Sequence, residues 1–130
     1  MHHRLDRVFP AESSGISQAR LGITLLVEEL GLSRERIDEV RLAVTEACTC
    51  VVRTATPGSI FNVRAMLDEG HLDVAVQAHS PSRPGFPNAL GLSVIRKCAT
   101  VVAISSERGG RLQIEMRFRA DHARVPALHS

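Results

Sequence analysis

Residues 42–52 read Leu-Ala-Val-Thr-Glu-Ala-Cys-Thr-Cys-Val-Val, and Glu46 and Cys50 are the side chains there best suited to chemistry. They stand four positions apart, so on a helix they share one face. A carboxylate at 46 can take a proton. A neutral thiol at 50 offers no oxygen donor to a hard cation. Cys48 and Cys50 are two apart in the same helical stretch, so they form neither a disulfide nor a zinc pair. With Cys98 they make three cysteines, read as small buried thiols in a reducing compartment. His71, His79 and the terminal histidines lack metal-ligand spacing and read as surface groups.

The elements that position these residues follow from periodicity. Residues 3–11 read as a short strand closed by Pro10. Ser13 or Ser14 is expected to cap a helix carrying Ile16, Ala19, Ile23, Leu26, Val27 and Leu30, ended by Gly31. Ser33 starts a second helix of some twenty residues, with Leu32 and Ile37 forming a hydrophobic staple and Pro57-Gly58 stopping it. Its buried stripe is Ile37, Val40, Val44, Ala47 and Val51. Phe61, Val63, Ala65 and Leu67 alternate with polar residues, Glu69-Gly70 turns, and Leu72, Val74, Val76 and Ala78 alternate again, which makes a hairpin. Residues 79–90 read as a proline-rich loop, and Leu92, Ile95 and Ala99 mark a short third helix. Val101–Ser105, a Gly109-Gly110 turn and Leu112–Phe118 make a second hairpin. The predicted fold is an α+β two-layer sandwich: a mostly antiparallel mixed sheet with about three helices on one face. One domain spans 1–119, and 120–130 reads as a tail.

Composition narrows the function. The 130 residues are 44% hydrophobic and 23% charged, with four Phe and neither Trp nor Tyr. The core is therefore aliphatic, and a base-stacking nucleic-acid platform lacks its stacking surface. A net charge of +2 is too small for a DNA- or RNA-binding stripe. Lys97 is the only lysine and no glycine-rich loop precedes it, which argues against a P-loop. No apolar stretch reaches the roughly 20 residues of a membrane span, and no signal-peptide core opens the chain. The reading is a cytoplasmic protein with no direct nucleic-acid or membrane partner.

The stretch 42–52 resembles the N box of the RsbW/SpoIIAB-type anti-sigma-factor serine kinases of the GHKL, or histidine-kinase-like ATPase, superfamily. Phe9-Pro10-Ala11, the arginine of Gln18-Ala19-Arg20, Gly31-Leu32-Ser33, Gly91-Leu92-Ser93-Val94-Ile95 and the Gly109-Gly110 hairpin resemble the family in the same order, over about residues 5–119. The resemblance implies a Bergerat fold and assigns roles by position. Glu46 would be the general base on the attacking hydroxyl or water. Cys50 stands where the family has a Mg²⁺-ligating Asn, and Ala78 where it has the Asp that binds adenine. Ser80 replaces the glycine that follows it, Thr54 a histidine, and Arg111 the threonine after the last glycine pair. Gly91 and Leu92 fall in the second glycine box, where Gly91 would serve the tight entry into the third helix or a phosphate cradle. Gly110 closes the last hairpin. Arg20 would contact a partner, because this family binds through its first helix.

With the nucleotide positions altered, the resemblance implies an anti-sigma-factor-like regulator that binds a sigma factor and/or an STAS-domain antagonist as a homodimer. ATP binding and kinase activity would be lost, so no cofactor is expected; ATP and Mg²⁺ would be the cofactors of a functional pocket. Release would then follow mass action or the redox state of Cys50. The alternative is an active ATP-dependent serine/threonine kinase acting on the antagonist. An α/β binding module unrelated to sigma factors has no positive signal.

Overall fold

A computed structural model describes residues 4–78, 89–106 and 112–120. The chain runs β1 (Arg4–Pro10), α1 (Ser13–Glu29), α2 (Arg34–Thr54), β2 (Ile60–Asp68), β3 (His71–Ala78), α3 (Ala89–Cys98), β4 (Val101–Ser106) and β5 (Leu112–Arg119). The strands form one sheet in the order β1-β2-β3-β5-β4. Every pairing in it is antiparallel. This is the two-layer α+β sandwich expected from the sequence, and the parallel pairing that a mixed sheet would add is not found among the described residues.

The helix starts are set by two different devices. Ser33 caps α2, its Oγ accepting from the Arg36 amide at 3.2 Å, a contact whose loss costs about 1 kcal/mol. Leu32 and Ile37, both buried, staple the same turn. Glu35 in its first turn and Arg53 in its last complement the helix dipole. The start of α1 differs from the serine cap expected. Its N-cap is Glu12, whose side chain makes no capping bond, and Ser14 Oγ donates back to Glu12 Oε1 at 2.8 Å. The cause lies in the strand before it: Glu12 N donates to the Pro10 carbonyl, so the chain turns into the helix at once and both serines fall inside its first turn.

The turns follow the glycines. Gly31, at φ +74, ends α1, with Gly31 N bonded to Glu28 O and Leu32 N to Val27 O, the two bonds of a Schellman motif. Glu69 and Gly70, at φ 45 and 81, form the two-residue mirror-image turn that suits the twist of a β-hairpin.

The core fills the space between sheet and helices. Phe9 comes from β1, Phe61, Val63 and Ala65 from β2, Leu72, Val74, Val76 and Ala78 from β3, and Leu112, Ile114, Met116 and Phe118 from β5. The helices close it with Ala19, Ile23 and Val27 from α1, the stripe Ile37, Val40, Val44, Ala47 and Val51 from α2, and Ile95 from α3. Each fully buried large aliphatic or phenyl group contributes about 1.5–3 kcal/mol.

Three boundaries move. α3 begins at Ala89, not at Gly91, because Ala89 and Leu90 are strong helix formers. β4 runs one residue further, to Ser106. Ala120, assigned to the tail by periodicity, is buried and donates its N–H to the Gly70 carbonyl at 2.9 Å; residues 121–130 lie outside the described residues.

Candidate functional site

Glu46 and Cys50 lie in the C-terminal half of α2, the helix that packs over β3 and β5. Glu46 is half-buried and Cys50 is 7% exposed. The threonines that flank them are committed to the backbone: Thr45 Oγ1 donates to the Arg41 carbonyl at 2.7 Å and Thr49 Oγ1 to the Thr45 carbonyl at 2.8 Å. Thr54 is buried at the helix end and Oγ1 donates to the Val51 carbonyl at 2.9 Å. Glu46 is therefore the one acid–base group on this turn of α2 (positions 45–50).

Burial works against the thiolate form of each cysteine. Burial pushes the Cys48 thiol up from its ordinary 9.0 to about 12. Burial also raises Cys50, against a smaller lowering by the Arg53 charge. Cys98 is raised by burial and by the Glu39 charge. The thiolate is the reactive form, and burial works against it at Cys50.

Ala78 ends β3 fully buried, paired with Phe61 on one side and Leu112 on the other. It contributes a methyl group to the same core that takes in Cys50. The chemistry of the two positions is plain. A protonated thiol supplies no oxygen for Mg²⁺, and a methyl supplies no acceptor for an adenine amino group. The side chains at 50 and 78 do not fit a Mg²⁺–nucleotide complex in the way the family positions would.

The remaining candidates scatter. Gly91 and Leu92 are half-buried third and fourth residues of α3. Gly91 is thus inside the helix and not at its entry, and its φ is not among the positive values that only glycine favours. Ser80 and Gly110, with Arg111, lie outside the described residues. Arg20 is exposed on α1, a helix away from Glu46, and two large apolar side chains beside it, Leu21 and Leu25, are also exposed.

Two features escaped the sequence reading. Asn62, which alternates like a solvent-facing residue, is buried, and its Nδ2 donates to Asp6 Oδ1 and to the Arg7 carbonyl, both at 3.0 Å. It ties β1 to β2; a partner 56 positions away leaves no local signal. Second, a concavity of about 420 Å³ lies on the helix-free face of the sheet, lined by Arg4, Asp6, Arg64, Asp73, Glu115 and Arg117 among others. Only the strand order brings those charges together.

Known proteins are similar to this chain in sequence or in fold. An anti-sigma F factor of Clostridium acetobutylicum is 25% identical over 134 aligned residues, covering 90% of this chain and 94% of that protein. The serine-protein kinase RsbW of Halalkalibacterium halodurans is 29% identical over 90 residues, covering 67% of this chain and 56% of that one. A solved chain holding the RsbU and RsbW domains of a Mycobacterium tuberculosis protein superposes with a TM-score of 0.75 at 16% identity; the match takes in 95% of this chain and 35% of that chain. At that identity the superposition speaks for the fold. Residues 9–118 match the family described as histidine kinase-like ATPase domain, and with the N-box helix over the central strands this chain belongs to that family.

Proposed function

We propose that this chain is an anti-sigma-factor-like regulator of a bacterial partner-switching pathway, which holds a sigma factor and/or an STAS-domain antagonist by surface contact as a homodimer and has lost ATP binding and kinase activity. The observation that carries the reading is the pairing of an intact family scaffold with Cys50 and Ala78 sealed into its core. The names of two relatives, an anti-sigma F factor and a serine-protein kinase, support the partner class. Arg20 on the exposed face of α1, beside Leu21 and Leu25, is the surface we assign to the partner. No described helix is long and apolar enough to cross a membrane.

The test is calorimetric titration of ATP and ADP with Mg²⁺ into nucleotide-stripped protein, beside pull-down of the sigma factors of the source cell. Silence up to millimolar nucleotide together with capture of a sigma factor, weakened by Arg20→Glu, is the expected result. Micromolar nucleotide binding would overturn the loss of cofactor.

One observation favours the second reading, an active serine/threonine kinase: Glu46 is retained, half-buried, on the helix face that chemistry needs. That reading expects phosphoryl transfer to an STAS-domain serine, reduced by at least about a hundredfold in Glu46→Ala.

A further inference from the structure

The two edges of the sheet are built differently. β1 carries Arg4, Asp6 and Arg7 and ends at Pro10. Charges and a proline on an outer strand deter the pairing of another chain. β4 closes the opposite side of the sheet, with β5 as its only neighbouring strand among the described residues. Its sequence, Val-Val-Ala-Ile-Ser-Ser, holds no charge, proline or glycine. About half of the backbone N–H and C=O groups of such a strand point away from its one partner. An uncharged outer strand rich in β-branched residues is a template for a further strand.

The surroundings define what that strand must look like. The start of β4 is pinned, because Thr100 N–H and Thr100 Oγ1 both donate to the Arg117 carbonyl, at 2.8 and 2.9 Å. Val102 and Ile104 lie opposite Met116 and Ile114 and are half-buried against the core, while Val101, Ala103 and Ser105 are exposed on the face that the helices leave bare. Apolar side chains on the helix side of an added strand extend the row of Val102 and Ile104, and small polar ones suit the other side. Charge fixes the direction. From Ala89 to Ser106 the only charged residues are Arg96 and Lys97. Both are exposed in the last turn of α3 and join no ion pair among the described residues. Only Ala99 and Thr100 separate that turn from Val101. A strand antiparallel to β4, the arrangement of every pair in this sheet, brings its C-terminal end to this point. Two full positive charges there outweigh the roughly half negative charge of a helix C-terminus, so acidic residues belong at that end.

We propose that the outer edge of β4 takes up an extended segment of a partner protein, in which apolar, β-branched residues alternate with polar ones and acidic residues follow at the C-terminal end. The segment adds to the sheet as a further strand, antiparallel to β4. Main-chain hydrogen bonds supply the affinity, and Val102, Ile104, Arg96 and Lys97 supply the selection. The edge lies across the sheet from β1, against which α1 packs. This site is therefore separate from the α1 surface assigned above and does not depend on it.

The test is fluorescence anisotropy of the labelled peptide Thr-Val-Thr-Val-Thr-Glu-Glu titrated with the full chain. Saturable binding is expected, weakened about tenfold when Lys-Lys replaces Glu-Glu in the peptide. The variant R96E/K97E, its fold checked by circular dichroism, is expected to weaken the original peptide by about the same factor and to prefer the Lys-Lys peptide. N-methylation distinguishes edge pairing from any other mode: methyls on one alternate set of peptide amides abolish binding, and methyls on the other set change it by less than about threefold. No binding up to millimolar peptide, or equal tolerance of both methylated sets, overturns the strand addition. Binding indifferent to charge reversal on both sides overturns the direction and the acidic partner. β4 amides whose exchange slows with protein concentration alone give the edge to a second copy. Peptide binding seen only after residues 121–130 are removed gives it to the chain's own C-terminus. Either of these last results also overturns the proposal, while sigma-factor capture still decides the regulatory reading on its own.

Discussion

Cys48 shows what a single buried group does to the whole. Its thiol is pushed up to about 12 because the core desolvates the thiolate. The unfolded chain gives up that proton near its ordinary 9.0, and the folded chain does not. The Cys48 contribution to stability is therefore complete below about pH 9 and is lost as pH rises toward 12, by on the order of a few kcal/mol. Urea midpoints measured from pH 8 to 11 are expected to fall steeply in the native chain and less steeply in Cys48→Ala. The same burial predicts that a thiol reagent at pH 8 reacts slowly with Cys48 and Cys50 until denaturant is added. The type and spacing of Glu46 and Cys50 were legible in the residues alone, since a helix puts positions four apart on one face. Their surroundings were not: how far a thiol is desolvated depends on which strands the helix covers.

At the scale of elements, β1 and α1 approach closely where Gly15 meets Pro10. A Cβ added at Gly15 would stand 1.8 Å from the Pro10 carbonyl oxygen and 3.2 Å from the Phe61 ring. That oxygen is backbone and also accepts from the Glu12 amide, so it cannot move aside cheaply. Gly15→Ala is expected to destabilise by at least about 2 kcal/mol, read as a lower urea midpoint with an unchanged slope. Gly22 meets only the Arg7 guanidinium at 3.8 Å and the Leu5 side chain at 4.0 Å, so Gly22→Ala on the same helix serves as the tolerated control. The hydrophobic periods located all three helices and the hairpins because burial on one face imposes a repeat of 3.6 or 2 residues. The start of α1 was misplaced because serines are good caps locally, and the turn at Pro10 overrides them. The length of α3 was misplaced because a glycine reads as a boundary even where its backbone is helical.

For the molecule as a whole, stability should be graded by position in the sheet. β3 is paired on both sides, by β2 and β5, and lies beneath α2. β4 and β1 are edges. Native-state hydrogen exchange is expected to find the slowest amides in β3 and the middle of α2, and the fastest strand amides in β4; equal protection in β3 and β4 would contradict this grading. By itself the sequence determined the local elements, their buried faces and the absence of an oxygen ligand at 50 and of an acceptor at 78, because each depends only on residue type and short spacing. The tertiary structure alone joined Cys50 and Ala78 to one apolar core. It also decided the order β1-β2-β3-β5-β4, which ranks Arg64, Ala75 and Glu115 across one bare face. Strand order is set by long-range burial that no local period encodes, so charges as distant in sequence as Asp6 and Arg64 became neighbours only once the sheet had formed.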